Sequence, residues 1–203
     1  MDLDVDPDSL ICSKDDTTQQ LAFVGILFGV VAGSFGFVGL YDFLESVLPT
    51  AVYAPFYSIL PLVLSFAFGA AGVAHFALEE TFVAFVPPKG TWGGLWQVPA
   101  PGSEALGLSY GQYHSYWSGI AEILVALSLA STTASIVDLG PFPAALMYLL
   151  AVAVTPANIY MFTHNPDVPE IPPVTYPWGH GARGVLQCAL LAVFFKLAVH
   201  GME

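Results

Sequence analysis

Several apolar stretches of about 18 or more residues run through this chain, each long enough to cross a bilayer as a helix. They leave few alternatives. A membrane β-barrel would need segments of about ten residues alternating in polarity, and these apolar runs do not alternate. A water-soluble domain carries about 25% charged residues; here 10% are charged and 56% are hydrophobic. The expectation is an all-α, polytopic transmembrane bundle of five spans, built as one compact body.

Those spans are placed at residues 21–40, 55–76, 113–134, 144–163 and 184–200. The first carries Gly25, Gly29, Gly33 and Gly36 at three- and four-residue spacing, which lets helix backbones approach closely in lipid and marks a packing face. A short acidic link with Asp42 and Glu45 follows. Residues 77–86 read as an amphipathic segment at the interface, stopped by Pro87 and Pro88. The loop after it, to about Gly111, holds Trp92 and Trp96 and is long for a structureless connection. It is expected to fold over one face of the bundle or reach a neighbour. Pro141-Phe142-Pro143 turns the chain into the fourth span, where Pro156 removes a helix hydrogen bond and should kink it. A proline-rich loop from about 165 to 183 leads to the fifth. The chain thus divides into an acidic tail (1–20), an additional span with its link (21–54) and a four-helix membrane domain (55–203).

The net charge is −12, from 16 acids against four bases, which argues against nucleic acid or an anionic lipid surface as a partner. Six acids, Asp2, Asp4, Asp6, Asp8, Asp15 and Asp16, crowd the tail. They read either as a solvated segment or as a surface docked on a basic partner. The two cysteines, Cys12 and Cys188, build neither a disulfide framework nor a CxxC motif. The start lacks the basic region of a secretory signal and the arginines of a transit peptide. Targeting is therefore through the first span, or by a presequence already removed. Five spans put the termini on opposite sides. Lys14, Lys89 and Arg183 on the amino-terminal side, against Lys196 opposite, place that side in the cytoplasm, stroma or matrix.

Glu122 is the residue that demands a reason, since a charge deep in an apolar run costs about 2.5–3.5 kcal/mol even on the lenient insertion scale. Alternation of the spans brings it to the same half of the membrane as His75, Asn158, Arg183 and Gln187, with Tyr160 nearby. Arg183 is the expected partner of Glu122, because an unpaired carboxyl would protonate. Two readings stay open: a satisfied polar lock, and a pocket for a small polar or quinone-like ligand. His75, His114, His164, His180 and His200 are candidate ligands for chlorophyll magnesium, haem or another metal, or simply hydrogen-bonded side chains. No CxxCH, HExxH or cysteine cluster is present, and no nucleophile–base pairing indicates hydrolysis.

At these residues the chain resembles the DoxX-like family of small integral membrane proteins. The match rests on Gly72-Val-Ala-His75-Phe76, Phe85-Val-Pro87-Pro88, Ser118-Gly119 with Glu122-Ile-Leu, Pro156-Ala-Asn158-Ile-Tyr160-Met161 and Arg183-Gly-Val-Leu-Gln187. Together they cover about residues 60 to 195 and follow the family's four-helix core. The first span, the acidic tail and the long Trp loop are additions to it, and Gly184-Val185 stands where a Leu-Pro pair is common. The resemblance implies a link to quinone-dependent oxidoreductase assemblies and redox homeostasis.

Two functions follow as expectations. The first is an accessory subunit of a larger energy-transducing membrane complex, a photosystem–antenna supercomplex being favoured. It would dock on other subunits through its tail and loops and hold chlorophyll, carotenoid or lipid. The second is a redox membrane protein working with quinone at the polar cluster. The expected location is a thylakoid membrane, with the mitochondrial inner membrane as the alternative.

Overall fold

The structure, a computed structural model, describes residues 5–168, 170–172 and 174–200. Asp2 and Asp4 of the tail lie outside the described residues, as do Pro169, Pro173 and the side chains of Phe56 and His200. All regular structure among the described residues is helical. After two 3-10 turns, Pro7–Ser9 and Ile11–Ser13, come α1 (Asp16–Val47), α2 (Thr50–Ala77), α3 (Glu79–Ala84), α4 (Tyr110–Thr133), α5 (Phe142–Ala153), α6 (Thr155–His164) and α7 (Trp178–His200).

Four rods are long and apolar enough to cross a membrane: α1, α2, α5 with α6, and α7 as far as Val199. Phe28, Phe35, Phe66 and Leu127 are among the many large apolar side chains they and α4 leave exposed. A belt of that size on a lone chain has lipid as its natural solvent. The remaining long helix, α4, has 24 residues, about 36 Å, but is not one of the four. Its buried face carries Ser115, Ser118, Gly119 and Glu122, which lowers its hydropathy while leaving Ile120, Leu124 and Leu127 outside.

Several helices start earlier than expected, and α1 and α7 differ most. α1 starts at Asp16, capped by the Asp15 carboxylate on the Thr18 N–H at 3.1 Å, and continues to Val47. Asp42 and Glu45 are therefore on the helix and not in a link. α7 starts at Trp178, inside the expected proline-rich loop, so His180 and Arg183 sit on its first two turns. The fourth rod does break at Val154, and Pro156 lies in the first turn of α6, where its missing N–H leaves nothing unsatisfied.

α2, α4, the α5–α6 rod and α7 surround one core. Leu129, Met147, Phe194 and Leu197 are fully buried there, and Phe68 of α2 meets Phe194 of α7 edge-on at 5.1 Å. α1 lies outside this group, along α7 and against α6. Of its glycines, Gly33 packs tightly, since a methyl group there would stand 2.8 Å from Cys188 Sγ. Gly25, Gly29 and Gly36 face open space, so most of the expected packing stripe looks away from the bundle.

At the far end α1 is pinned to α7 by charge. Lys196 Nζ lies 2.7 Å from both Asp42 Oδ1 and Glu45 Oε1, and the Tyr53 hydroxyl donates to Glu45. At the amino-terminal end the pin is aromatic. The Trp92 side chain is fully buried, packs against Phe23 of α1 with tilted rings 4.3 Å apart and donates from Nε1 to Thr163 Oγ1 of α6 at 3.0 Å. The Trp loop thus folds over the bundle's own end. The described part of the tail does likewise: the Gln19 amide holds the Cys12 and Lys14 carbonyls, and the second 3-10 turn rests on α6.

Candidate functional site

The site begins with a close helix crossing. A methyl group on Gly72 of α2 would stand 2.8 Å from the Gly119 carbonyl of α4. One on Gly119 would stand 2.7 Å from His75 Cβ. Only hydrogen fits at either position. The motifs Gly72-Val-Ala-His75 and Ser118-Gly119 therefore have a physical role: they press α2 onto α4 and drive His75 into its polar stripe. There Nδ1 lies 3.1 Å from Ser115 Oγ, and Nε2 lies 3.7 Å from Glu122 Oε2. All three side chains are buried. Ser115, Ser118, Gly119 and Glu122, at helical spacing, supply one continuous face.

The opposite wall comes from α6 and α7. Asn158 Nδ2 donates to Gln187 Oε1 at 3.0 Å. Gln187 Nε2 in turn donates to the Ala151 carbonyl and to Thr155 Oγ1 at the α5–α6 break, at 3.0 and 3.1 Å. One turn earlier on α7, the Arg183 guanidinium lies over the Phe85 ring, 5.4 Å from its centroid. Arg183 makes no ion pair or hydrogen bond with any described residue.

Between the walls is a cavity of about 340 Å³, toward the lower end of the about 300–1,000 Å³ usual for small-molecule sites. His75, Ser115, Glu122, Asn158, Arg183 and Gln187 line it, with Phe82 and Phe85 forming an aromatic roof next to α3. Leu186 and Leu190 of α7 and Phe68 and Ala71 of α2 make its apolar side. Glu122 Oε2 is buried there without a hydrogen-bond partner.

Two expectations are corrected here. The ionisable side chain next to Glu122 is His75, 3.7 Å away, and Arg183 is turned onto Phe85 instead. Tyr160 does not line the cavity. It stacks on His164 at 4.3 Å and meets Trp92 edge-on at 6.3 Å. Two residues along a helix is about 200° of rotation, so Tyr160 cannot share the Asn158 face.

The other candidate histidines stay apart. His114 Nδ1 accepts from Trp117 Nε1 at 3.1 Å, and His164 Nδ1 lies 2.8 Å from Thr163 Oγ1. His180 Nε2 lies 3.1 Å from Asn165 Oδ1. His200 closes α7, but its side chain lies outside the described residues. Among the described residues no group of three His, Cys, Asp or Glu side chains converges on a metal position.

The sequence reading missed Ser115 and the Phe82–Phe85 roof. Ser115 was detectable, because it lies two turns before Glu122 and therefore on its face. The arrangement can hold a molecule that offers an acceptor to Arg183 and a donor to Glu122, with aromatic contact above and His75, held by Ser115, beside Glu122.

No protein-family model, curated protein or solved structure matches the chain.

Proposed function

We propose that this chain is an integral membrane protein that binds a small amphipathic molecule of the quinone class in the cavity between α2, α4, α6 and α7. One observation carries the reading: a buried carboxylate oxygen and a guanidinium, both without hydrogen-bond partners among the described residues, line the same cavity. A lock that served only the fold would have closed that pair, since each unsatisfied group costs about 1–3 kcal/mol or more. α4 is taken as a fifth crossing, antiparallel to α2. The group α2, α4, α5–α6 and α7 is taken as the four-helix core of a DoxX-like protein, with α1 added.

In this reading Arg183 donates to a carbonyl oxygen of the bound molecule, and Phe82 and Phe85 cover its ring. Ser115 holds the His75 ring by its hydrogen bond to Nδ1, which leaves Nε2 facing Glu122 to exchange a proton with it. A bound quinone would supply the redox chemistry, with electrons from a membrane partner, which makes the chain a subunit of a quinone-linked oxidoreductase. The test is equilibrium binding of a short-chain ubiquinone analogue to protein in lipid nanodiscs. Glu122→Gln and Arg183→Gln should each weaken binding at least about ten-fold with helicity unchanged. Wild-type binding by both variants would overturn the reading.

A second reading is favoured by α1, whose Gly25, Gly29 and Gly36 face outward beside exposed Phe28 and Phe35. That surface fits a neighbouring helix in a larger assembly, the photosystem–antenna or respiratory complex of an organelle membrane. The described tail and the Trp loop cover the chain's own bundle, so in this version α1 does the docking. Native electrophoresis of the source membrane tests it. Migration in a large pigmented band supports an accessory subunit, and a small colourless band removes it.

A further inference from the structure

Arg183, Asn158 and Gln187 wall a second space as well. It is about 200 Å³, lies on the α1 side of the bundle, and is closed by Ile26 and Val30 of α1 with Phe162 and His180. Val30 and Thr155 also line an apolar groove between α1, α5 and α7, which passes Tyr148, Val152 and Phe195. The two spaces share Val30 and Thr155 in their walls, and we read them as one slot with a polar end and an apolar end. The three rods agree on its direction. The lining runs from His180 to Phe195 on α7, from Phe162 back to Tyr148 on the α5–α6 rod, and from Ile26 to Val38 on α1.

We propose that this slot is a binding site for a phospholipid of the leaflet on the amino-terminal side. Its phosphodiester sits against Arg183 and one acyl chain fills the groove. The length fits. Position 180 to position 195 on a helix is about 22 Å, and one leaflet with its headgroups is half of about 40–45 Å. The charge fits as well. The guanidinium fork matches phosphate oxygens, and no Asp or Glu lines either part of the slot to compete for it. Five N–H donors exceed what one ligand carbonyl takes, so the slot and the first cavity can be filled together. The acyl chain also gives α1 something to pack on in the groove between it and α5. This inference does not depend on a quinone in the first cavity.

The experiment is native mass spectrometry of the detergent-purified chain, titrated with phosphatidylglycerol and with diacylglycerol of the same acyl chains. The wild type should retain one phosphatidylglycerol at least about ten-fold more tightly than diacylglycerol. Arg183→Gln should erase that difference. Val152→Trp fills the groove from a position that is 44% exposed, so the fold accommodates it; it should weaken phosphatidylglycerol binding while leaving Arg183 in place. Glu122→Gln should bind the lipid as the wild type does, which separates this slot from the first cavity. Equal retention of diacylglycerol, or undiminished binding by Val152→Trp, would overturn the proposal.

Discussion

The molecule holds two polar clusters at opposite ends of its bundle, and they are built on opposite principles. At the far end Lys196, 3% exposed in its side chain, is matched by two carboxylates at 2.7 Å, and Tyr53 donates to one of them. At the amino-terminal end Glu122 reaches only His75, at 3.7 Å, Arg183 rests on an aromatic ring, and a cavity of about 340 Å³ stands between them. Closed charges hold helices together; charges left open around a void are arranged for a third party. On the function proposed above, this difference gives the first cluster to the fold and the second to binding.

The largest test of that assignment falls on the lock. Lys196→Met strands two carboxylates and should cost about 3 kcal/mol, the low end for breaking a buried pair, because Asp42 is 58% exposed and keeps some solvation. Thermal unfolding in lipid nanodiscs reads it, with loss of a disulfide engineered between α1 and α7 as the local readout. Adding Asp42→Asn and Glu45→Gln should restore most of the stability. If Lys196→Met unfolds like the wild type, the far-end cluster is not what holds α1, and the contrast fails.

Next in size is the crossing that builds the open cluster. Gly119→Ala places a methyl group 2.7 Å from His75 Cβ, and overpacking of that kind costs about 1–3 kcal/mol. It should also separate His75 from Ser115, seen as a shift in the His75 imidazole resonances. Gly25→Ala, on the outward face of α1, meets nothing within 4 Å and should leave an isolated chain unchanged. The pair shows where glycine spacing informs and where it misleads. The stripe on α1 had more glycines, yet only Gly33 of it packs tightly, whereas Gly72 and Gly119 face each other across two helices.

Much of the fold was legible because a bilayer imposes length and apolarity, and the runs that became α1, α2, α5–α6 and α7 are visible directly. Alternation of the rods also explains how His75, Glu122, Asn158, Arg183 and Gln187 come to line one cavity. Partner choice was not legible. It depends on side-chain direction, and Phe85, from the short stretch after α3, takes the Arg183 guanidinium that depth alone assigned to Glu122. The far-end lock was hidden by a habit of reading charges as the end of a span. Asp42 and Glu45, three apart on α1, face the one lysine of α7, and together they allow the helix to continue through them.

A smaller effect sharpens the comparison from the binding side. Glu122→Gln should change stability by no more than about 1 kcal/mol, because it replaces an imperfect buried pair by a neutral amide of the same shape. Its cost appears in ligand binding alone. A variant that unfolds as readily as Lys196→Met would move Glu122 into the structural class and erase the distinction between the two ends.

The smallest effect concerns the roof of the cavity, where α3 is tied to α4. The Gln112 amide donates to Glu79 Oε1 at 2.6 Å, and this bond, with a second from the Tyr116 hydroxyl, holds the Glu79 carboxyl below its ordinary range. A carboxyl whose folded pKa is depressed adds stability above its unfolded value, here about 4.5, and loses it as pH falls through the lower folded value. Acidification from neutral pH toward that range should therefore loosen α3 and leave it docked at pH 7. Hydrogen exchange of the amides in Glu79–Ala84 reads the change directly. Glu79→Gln keeps a polar partner for Gln112 but cannot titrate, so its protection, relative to the intrinsic exchange rate at each pH, should be flat over the same interval. A pH response that persists in Glu79→Gln would place the titrating group elsewhere, and the roof would then owe its position to Phe82 and Phe85 packing over His75 and Arg183, not to the Glu79 tie.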